Sequence, residues 1–320
     1  MDLSIVTTLY CSQSYLREFY ARISAEAAKI TINYEIIFVN DGSPDNSLDL
    51  VLSFHRQDPK VKVIDLSRNF GHHKAMMTGL AHARGKLVFL TDCDLEEEPE
   101  LLGKLHHIWQ ESTADVVYGV QISRKGELFE RLSGAIFWKL FNTLSSYPVP
   151  SNQLVTRLMS LRYVRSLVAH RDREVFIPGL WAITGYEQIP VRVKKHSKGS
   201  STYTLKKKIA QFVDAITTFS ATPLVLNFYL GGIIVLFSAV AGILLIVRKL
   251  IWNTAIVGWS SLIVSVWFLG GLTIFCLGLI GIYLSKVFAE TKDRPFTVIR
   301  EIHEHKIDRL APILYVNREN

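Results

Sequence analysis

Two hydrophobic rhythms alternate through the first ninety residues. Short apolar and β-branched runs recur at Leu3–Leu9, Tyr34–Val39, Val61–Leu66 and Leu87–Leu90, each too short for a helix and read as a buried strand. Between them, Tyr15 to Lys29, Ser47 to Gln57 and His73 to Ala83 carry helical spacing. Asn46 or Ser47 is available to cap the second helix, and Gly85 to close the third. This alternation predicts a parallel sheet covered by helices. Ligands bind such sheets beyond the carboxyl ends of the strands. Asp41, Arg68, Asp92 and Asp94 all fall at that edge.

The fourth strand runs into Thr91-Asp92-Cys93-Asp94-Leu95. Side chains at i and i+2 of an extended chain point to one side, so both carboxylates can face one ligand. Hard oxygen ligands suit Mg²⁺ or Mn²⁺, which bridge protein carboxylates to a substrate's phosphates. An Asp-x-Asp alone is weak evidence and reads better as an acidic turn; its coincidence with Asp41 and Arg68 makes it informative. Asp41 could accept hydrogen bonds from a base or ribose, or close an Asx turn in its Pro-containing loop. Arg68 has the fork that pairs with phosphate, and the alternative of a surface ion pair.

The later pattern changes character. Leu128, Leu132, Ile136, Leu140 and Phe141 repeat at helical spacing beside Trp138 and Lys139, fitting either a core helix or one lying in a membrane interface. A second apolar stripe, from Leu205 to Phe219, sits beneath Lys206, Lys207 and Lys208, next to a Gly/Ser-rich basic loop beginning at Lys194. Leu224 to Val247 and Ala255 to Ser285 are free of charge. At about 1.5 Å per residue the first spans roughly 36 Å, enough for a bilayer core of about 30 Å. The two runs read as a transmembrane helical hairpin with both chain ends on one side. Lysine and arginine crowd its flanks, while Arg248 and Lys249 alone lie in the connection, which predicts a cytoplasmic body and termini.

Composition narrows the class. The 320 residues suit one large domain or two smaller ones, and a net charge of +7 suggests an anionic partner. Cys11, Cys93 and Cys276 make no disulfide framework, which fits a reducing compartment. Leu3–Leu9 lacks the basic head and long apolar run of a secretory signal. The adjacent pairs His72-His73 and His106-His107 diverge on a helix, so they do not chelate one zinc ion. No P-loop or nucleic-acid-binding motif is present.

Asn40-Asp41-Gly42-Ser43, Asp65-Leu66-Ser67-Arg68-Asn69-Phe70-Gly71 and Asp92-Cys93-Asp94-Leu95, in this order and spacing, resemble the family 2 glycosyltransferases with a GT-A fold. More narrowly, the chain looks like the polyprenyl-phosphate group, which contains dolichyl-phosphate mannose synthases and undecaprenyl-phosphate sugar transferases. The likeness continues through Gly199-Ser200-Ser201-Thr202-Tyr203, Phe219-Ser220-Ala221-Thr222-Pro223-Leu224 and Arg294-Pro295-Phe296. There are departures. The family's Pro-x-Tyr-Asn-Glu reads Thr8-Leu9-Tyr10-Cys11-Ser12, keeping only the tyrosine. Its Leu-Gln-Asp-Pro-Pro-Glu reads Leu95-Glu96-Glu97-Glu98-Pro99-Glu100, where the extra acid suggests a helix N-terminal charge effect or tuning of the metal. Its Asp-x-Arg-Leu-Met reads Val155-Thr156-Arg157-Leu158-Met159, with valine for the aspartate. The basic residue three before the glycine is His196, and the lysine before Tyr203 is Thr202.

The resemblance implies an inverting, metal-dependent enzyme that moves a sugar from a nucleotide diphosphate sugar to a polyprenyl phosphate. It would sit in the bacterial inner membrane or an equivalent one, facing the cytoplasm. It places Asp92, Asp94, Arg68 and Arg157 in catalysis, and Asp92 and Asp94 on Mg²⁺ or Mn²⁺. Tyr10, Asp41, Arg68, His196, Lys198, Ser201 and Tyr203 would bind substrate, the basic loop closing over the donor and the lipid phosphate. The expected division is a nucleotide-sugar core over 1–125, an acceptor-side region over 126–222 with interfacial helices, a transmembrane pair over 223–285 and a cytoplasmic tail over 286–320. A homo-oligomer is compatible with this, and nucleic acid is not expected. Two rivals remain: the same fold with another lipid or saccharide acceptor, and a catalytically degenerate membrane scaffold.

Overall fold

The computed structural model describes residues 1–121, 142–143, 150, 152–170, 172, 175–193, 217, 220–252, 258–292 and 294–305. In chain order these form β1 (Leu3–Leu9), α1 (Gln13–Ile30), β2 (Tyr34–Asn40), α2 (Ser47–Gln57), β3 (Val61–Leu66), α3 (His72–Ala81), β4 (Leu87–Leu90), α4 (Leu101–Gln110), β5 (Val116–Gln121), β6 (Gln153–Ser160), α5 (Leu161–Ala169), α6 (Ile177–Ile183), β7 (Gln188–Val193), α7 (Thr222–Trp252), α8 (Trp259–Thr291) and β8 (Ile299–His303). They divide into two units, one holding the sheet and the other holding α7 and α8.

The predicted alternation is present from β1 to β4, and the α/β class is as expected. The sheet has eight strands in the order β7-β5-β6-β4-β1-β2-β3-β8. Parallel pairings join β1 to β2, β1 to β4, β2 to β3 and β5 to β7, while β6 and β8 run antiparallel to their neighbours. β1, β2, β3 and β4 are buried along their whole lengths, which is why they read as continuous apolar runs. Phe19, Phe38 and Phe54 meet between α1, α2 and the sheet, with Phe19 and Phe38 edge to face at 6.3 Å. The chain builds outward from β1 to β3, then crosses back through α3 to place β4 on the other side of β1. The carboxyl ends of β1 and β4 therefore border a topological switch point, where a crevice opens.

Some local expectations change. α3 ends at Ala81 with His82 as its cap, so Gly85 does not close it. Gly85 is needed for close approach instead: a Cβ there would lie 2.4 Å from the Ser4 backbone nitrogen. Asn46 is the N-cap of α2 but makes no side-chain capping bond, and Asp45 Oδ1 accepts from the Ser47 amide at 3.1 Å instead.

In the second unit, Cys276 Sγ donates to Asn227 Oδ1 at 2.8 Å and Tyr283 Oη donates to the Ser220 carbonyl at 2.6 Å. Going back along α7 goes forward along α8, the sign of antiparallel packing. Among the described residues one segment, Ser265–Thr291, is long and apolar enough to cross a membrane, with a mean hydropathy of 2.1; Thr222–Ser238 is a shorter apolar stretch. The two expected interfacial stripes fall almost wholly outside the described residues.

Candidate active site

The loop after β1, the N-terminus of α3 and the loop after β4 meet at the switch point. Thr8 Oγ1 lies 2.9 Å from His72 Nδ1, and His72 Nε2 lies 3.3 Å from Asp92 Oδ1. Burial disfavours a charge on His72, but the Asp92 carboxylate, helped by Asp41 and Asp94, outweighs it and raises the imidazole above its ordinary value. Asp92 Oδ1 is buried and makes no hydrogen bond. That oxygen faces the His72 imidazole, and the side chain as a whole is 25 % exposed, which leaves the carboxylate's other oxygen open to a cation.

Asp94 follows in a tight loop. Its Oδ1 accepts from the Glu96 amide at 3.0 Å, and the intervening Leu95 has φ +61°. A bulky side chain at positive φ is strained, and such strain gathers at functional loops. Cys11, just after Tyr10, has φ +53°. Tyr10 itself is 54 % exposed at the end of β1, an open aromatic surface. Among the described residues no cluster of three His, Cys, Asp or Glu could hold a metal alone. Asp92 and Asp94 would therefore hold a cation only together with oxygens from substrate or water, the usual habit of Mg²⁺.

Asp41 is 2 % exposed. Its Oδ1 accepts from the Phe70 amide at 2.7 Å and its Oδ2 from the Gly71 amide at 3.0 Å. Burial raises its carboxyl, while these two amides act to lower it. The side chain thus holds the loop between β3 and α3 against the loop after β2. Gly42 makes that approach possible, since at φ +61° a Cβ would meet Asn69 N at 2.5 Å. Arg68 is exposed on the held loop, stacked on the Phe70 ring and donating to the Asn69 carbonyl at 3.0 Å.

β6 lines the crevice beside β4. Leu90 pairs with Arg157, and the Thr91 and Thr156 hydroxyls meet at 2.9 Å. One step further in this register, Val155 comes beside Asp92, so the family's missing aspartate would have stood there. Glu97 Oε2 accepts from the Thr156 amide at 2.9 Å. The first turn of α4 itself contains no acid, and buried Glu97 ties the loop after β4 to β6. Arg157 is fully buried, stacked on Trp181 and bonded through Nη2 to Gln153 Oε1 at 3.2 Å. Burial pulls its guanidinium down to about 9.

Asp92, Asp94 and Tyr10 thus gather at one crevice, with Asp41 and Arg68 on the adjoining loops. His196, Lys198, Ser201 and Tyr203 lie outside the described residues. Sequence reasoning weighed His72 only as a zinc ligand and Glu97 only as a helix charge effect or metal tuning, and gave Thr8 no role. The available signal for His72 was its place directly after Asn69-Phe70-Gly71, at the sheet edge already marked by Arg68.

A family model described as Glycosyl transferase family 2 matches residues 4–163. A Mycobacterium tuberculosis (strain CDC 1551 / Oshkosh) protein named as a glycosyltransferase is 52 % identical over 98 % of this chain and 91 % of its own length. A bactoprenol glucosyl transferase of Shigella flexneri, derived from prophage SfII, is 29 % identical over 95 % of this chain and 99 % of its own. Among solved structures, glucosyl-3-phosphoglycerate synthase from Mycobacterium tuberculosis aligns with a TM-score of 0.49 and 16 % identity, over 68 % of this chain and 78 % of that one.

Proposed function

The chain belongs to glycosyl transferase family 2, and from that premise we propose that it transfers a sugar from a nucleotide diphosphate sugar to a polyprenyl phosphate at the cytoplasmic face of a membrane. The observation that carries the donor side is the crevice where Asp92, its inner oxygen facing His72 and its side chain still 25 % exposed, meets the carboxyl end of β1. The acceptor side is supported by the bactoprenol-named relative and by the second unit. Phe228, Phe237, Trp267 and Ile274 there are each more than 70 % exposed, a surface suited to lipid and not to water.

In this reading Tyr10 offers a face for the base and Arg68 a fork for the diphosphate. Asp92 and Asp94 hold Mg²⁺ or Mn²⁺, which when bound offsets charge on the departing diphosphate. His196, Lys198, Ser201 and Tyr203 close over the donor and the lipid phosphate. Arg157 acts from below, fixing the strand that carries Thr156. A phosphate oxygen of the acceptor attacks the anomeric carbon as the bond to the diphosphate breaks, with inversion. That oxygen is already anionic at neutral pH, so no general base is needed, which agrees with Val155 beside Asp92.

The test is nucleotide release by the purified full chain with Mn²⁺, a short polyprenyl phosphate and a panel of sugar nucleotides. Release dependent on both metal and lipid is expected, with Asp92→Asn reducing it at least 100-fold in a folded, embedded protein. Turnover with a saccharide acceptor alone would move the proposal to another acceptor. No turnover and no binding of UDP or GDP would sink it in favour of a scaffold.

A further inference from the structure

Two features at the switch point are not explained by donor binding alone. Asp92 Oδ1 is shut off from solvent and makes no hydrogen bond, yet the Asp92 side chain is 25 % exposed, so its exposure lies on the rest of the group. The imidazole covering that oxygen is itself held from behind, with His72 Nδ1 2.9 Å from the Thr8 hydroxyl, and Thr8 is almost wholly buried. Thr8 is the last residue but one of β1, pairing with Val39 in β2. The His72 ring is therefore anchored to the stiffest part of the sheet while its other nitrogen faces Asp92.

We propose that His72 is a positioning residue for the cation site: Thr8 orients the imidazole, and His72 Nε2 holds the inner oxygen of Asp92 so that the outer oxygen faces the ion. Carboxylates that ligate metals are themselves hydrogen-bonded by neighbouring groups, and losing such a neighbour costs about 10–100-fold in metal affinity. The 3.3 Å contact is longer than the ~2.7–2.9 Å of a charge-assisted hydrogen bond. Contacts of this kind are commonly long before substrate binds and tighten afterwards. The arrangement does not depend on the ring's charge. In the neutral ring the threonine hydroxyl donates to Nδ1 and Nε2–H faces Asp92; in the imidazolium Nδ1–H donates to the hydroxyl and Nε2–H is unchanged. The inference rests on the reading of Asp92 as a metal ligand.

Mn²⁺ binding to the full chain in detergent, followed by the electron paramagnetic resonance of free Mn²⁺ without nucleotide, tests both. Asp92→Asn should abolish binding. His72→Ala should weaken it about 10–100-fold. His72→Gln keeps a side-chain N–H and should recover most of the loss, and Thr8→Val should weaken binding in the same direction by less. Wild-type affinity in His72→Ala, with binding lost in Asp92→Asn, overturns the role of His72 and leaves the metal site standing. Equal losses in His72→Ala and His72→Gln also overturn it, because a donor would not be what matters. Wild-type affinity in Asp92→Asn removes the metal reading itself. Should His72→Ala fail to fold, Thr8→Val and His72→Gln carry the same comparison.

Discussion

Asp45 holds together the loop that enters α2 beside the crevice. Its Oδ1 accepts from the Ser43 hydroxyl at 2.6 Å and the Ser47 amide at 3.1 Å, and its Oδ2 from the Gln13 amide at 3.1 Å. Burial pushes its carboxyl up, but these hydrogen bonds outweigh it and bring the group from 3.8 to about 2. A carboxyl depressed in the folded state contributes stability that is complete above its unfolded value and lost as pH falls through the folded one. Thermal unfolding should therefore show Asp45→Asn less stable than wild type above about pH 4, with the difference closing between about pH 4 and pH 2. A difference that persisted unchanged at pH 2 would show that the charge is not responsible. Asp41 and Asp92 teach a related lesson. Both are acids within two residues of a strand's end, and their sequence surroundings rank them alike. Asp41 spends both oxygens on the backbone of a neighbouring loop, while Asp92 keeps one oxygen without a hydrogen bond. That choice depends on where residues 70 and 71 return, which no local pattern records.

At the scale of elements, α3 is the piece that builds the crevice, because it carries His72 at its N-terminus and packs across β1 and β2. Gly79 lets it come close: a Cβ there would lie 2.5 Å from Val6 Cγ1 and 2.9 Å from Val39 Cγ2. An alanine in mid-helix gains about 1 kcal/mol of propensity. Overpacking against two β-branched side chains that cannot swing aside costs about 1–3 kcal/mol. The second effect wins, so Gly79→Ala should lower the Tm by about 2–6 °C, and more should be lost with Gly79→Val. A Tm at or above that of wild type would mean that the helix can lift off the sheet freely. Most of this layer was legible beforehand. The ranges expected for β1, α2, β3 and β4 coincide with those observed, since buried strands and amphipathic helices advertise themselves in runs of a few residues. β5, β6, β7 and β8 were not foreseen. β8 in particular reads Ile-Arg-Glu-Ile-His, a half-exposed edge strand with little apolar signal.

At the scale of the whole molecule, β8 returns the chain to the sheet after α8. It pairs antiparallel with β3, Arg300 Nη1 meets Asp65 Oδ2 at 3.1 Å, and Glu304 meets Lys62 at 3.0 Å and Arg84 at 3.1 Å. Val298 accepts from the Ser67 amide at 2.9 Å, next to Arg68. The segment expected to be a tail is thus part of the sheet that carries the site. A chain ended at Ser220 would lose both apolar helices but also uncover the β3 edge, a template for aggregation. Replacing residues 221–293 by a long Gly/Ser linker removes the helices and keeps β8. Size-exclusion chromatography should show the shortened chain aggregating and the linker version eluting as a discrete species. If both behave alike, β8 is not needed to cover that edge.

By itself the sequence determined the alternation of strands and helices, the sheet edge at which chemistry gathers, and the family resemblance, because hydrophobic periodicity and short motifs are local properties of the chain. Tertiary structure alone decided what the polar groups at that edge do. Thr8 and His72 are separated by 64 residues, Glu97 and Thr156 by 59, and Asp41 and Gly71 by 30. A carboxylate buried among backbone amides and one that keeps an oxygen free of hydrogen bonds look the same in one dimension. They differ only once folding has settled which distant donors reach them, since each buried acceptor must find a partner and the sheet's topology fixes who is near.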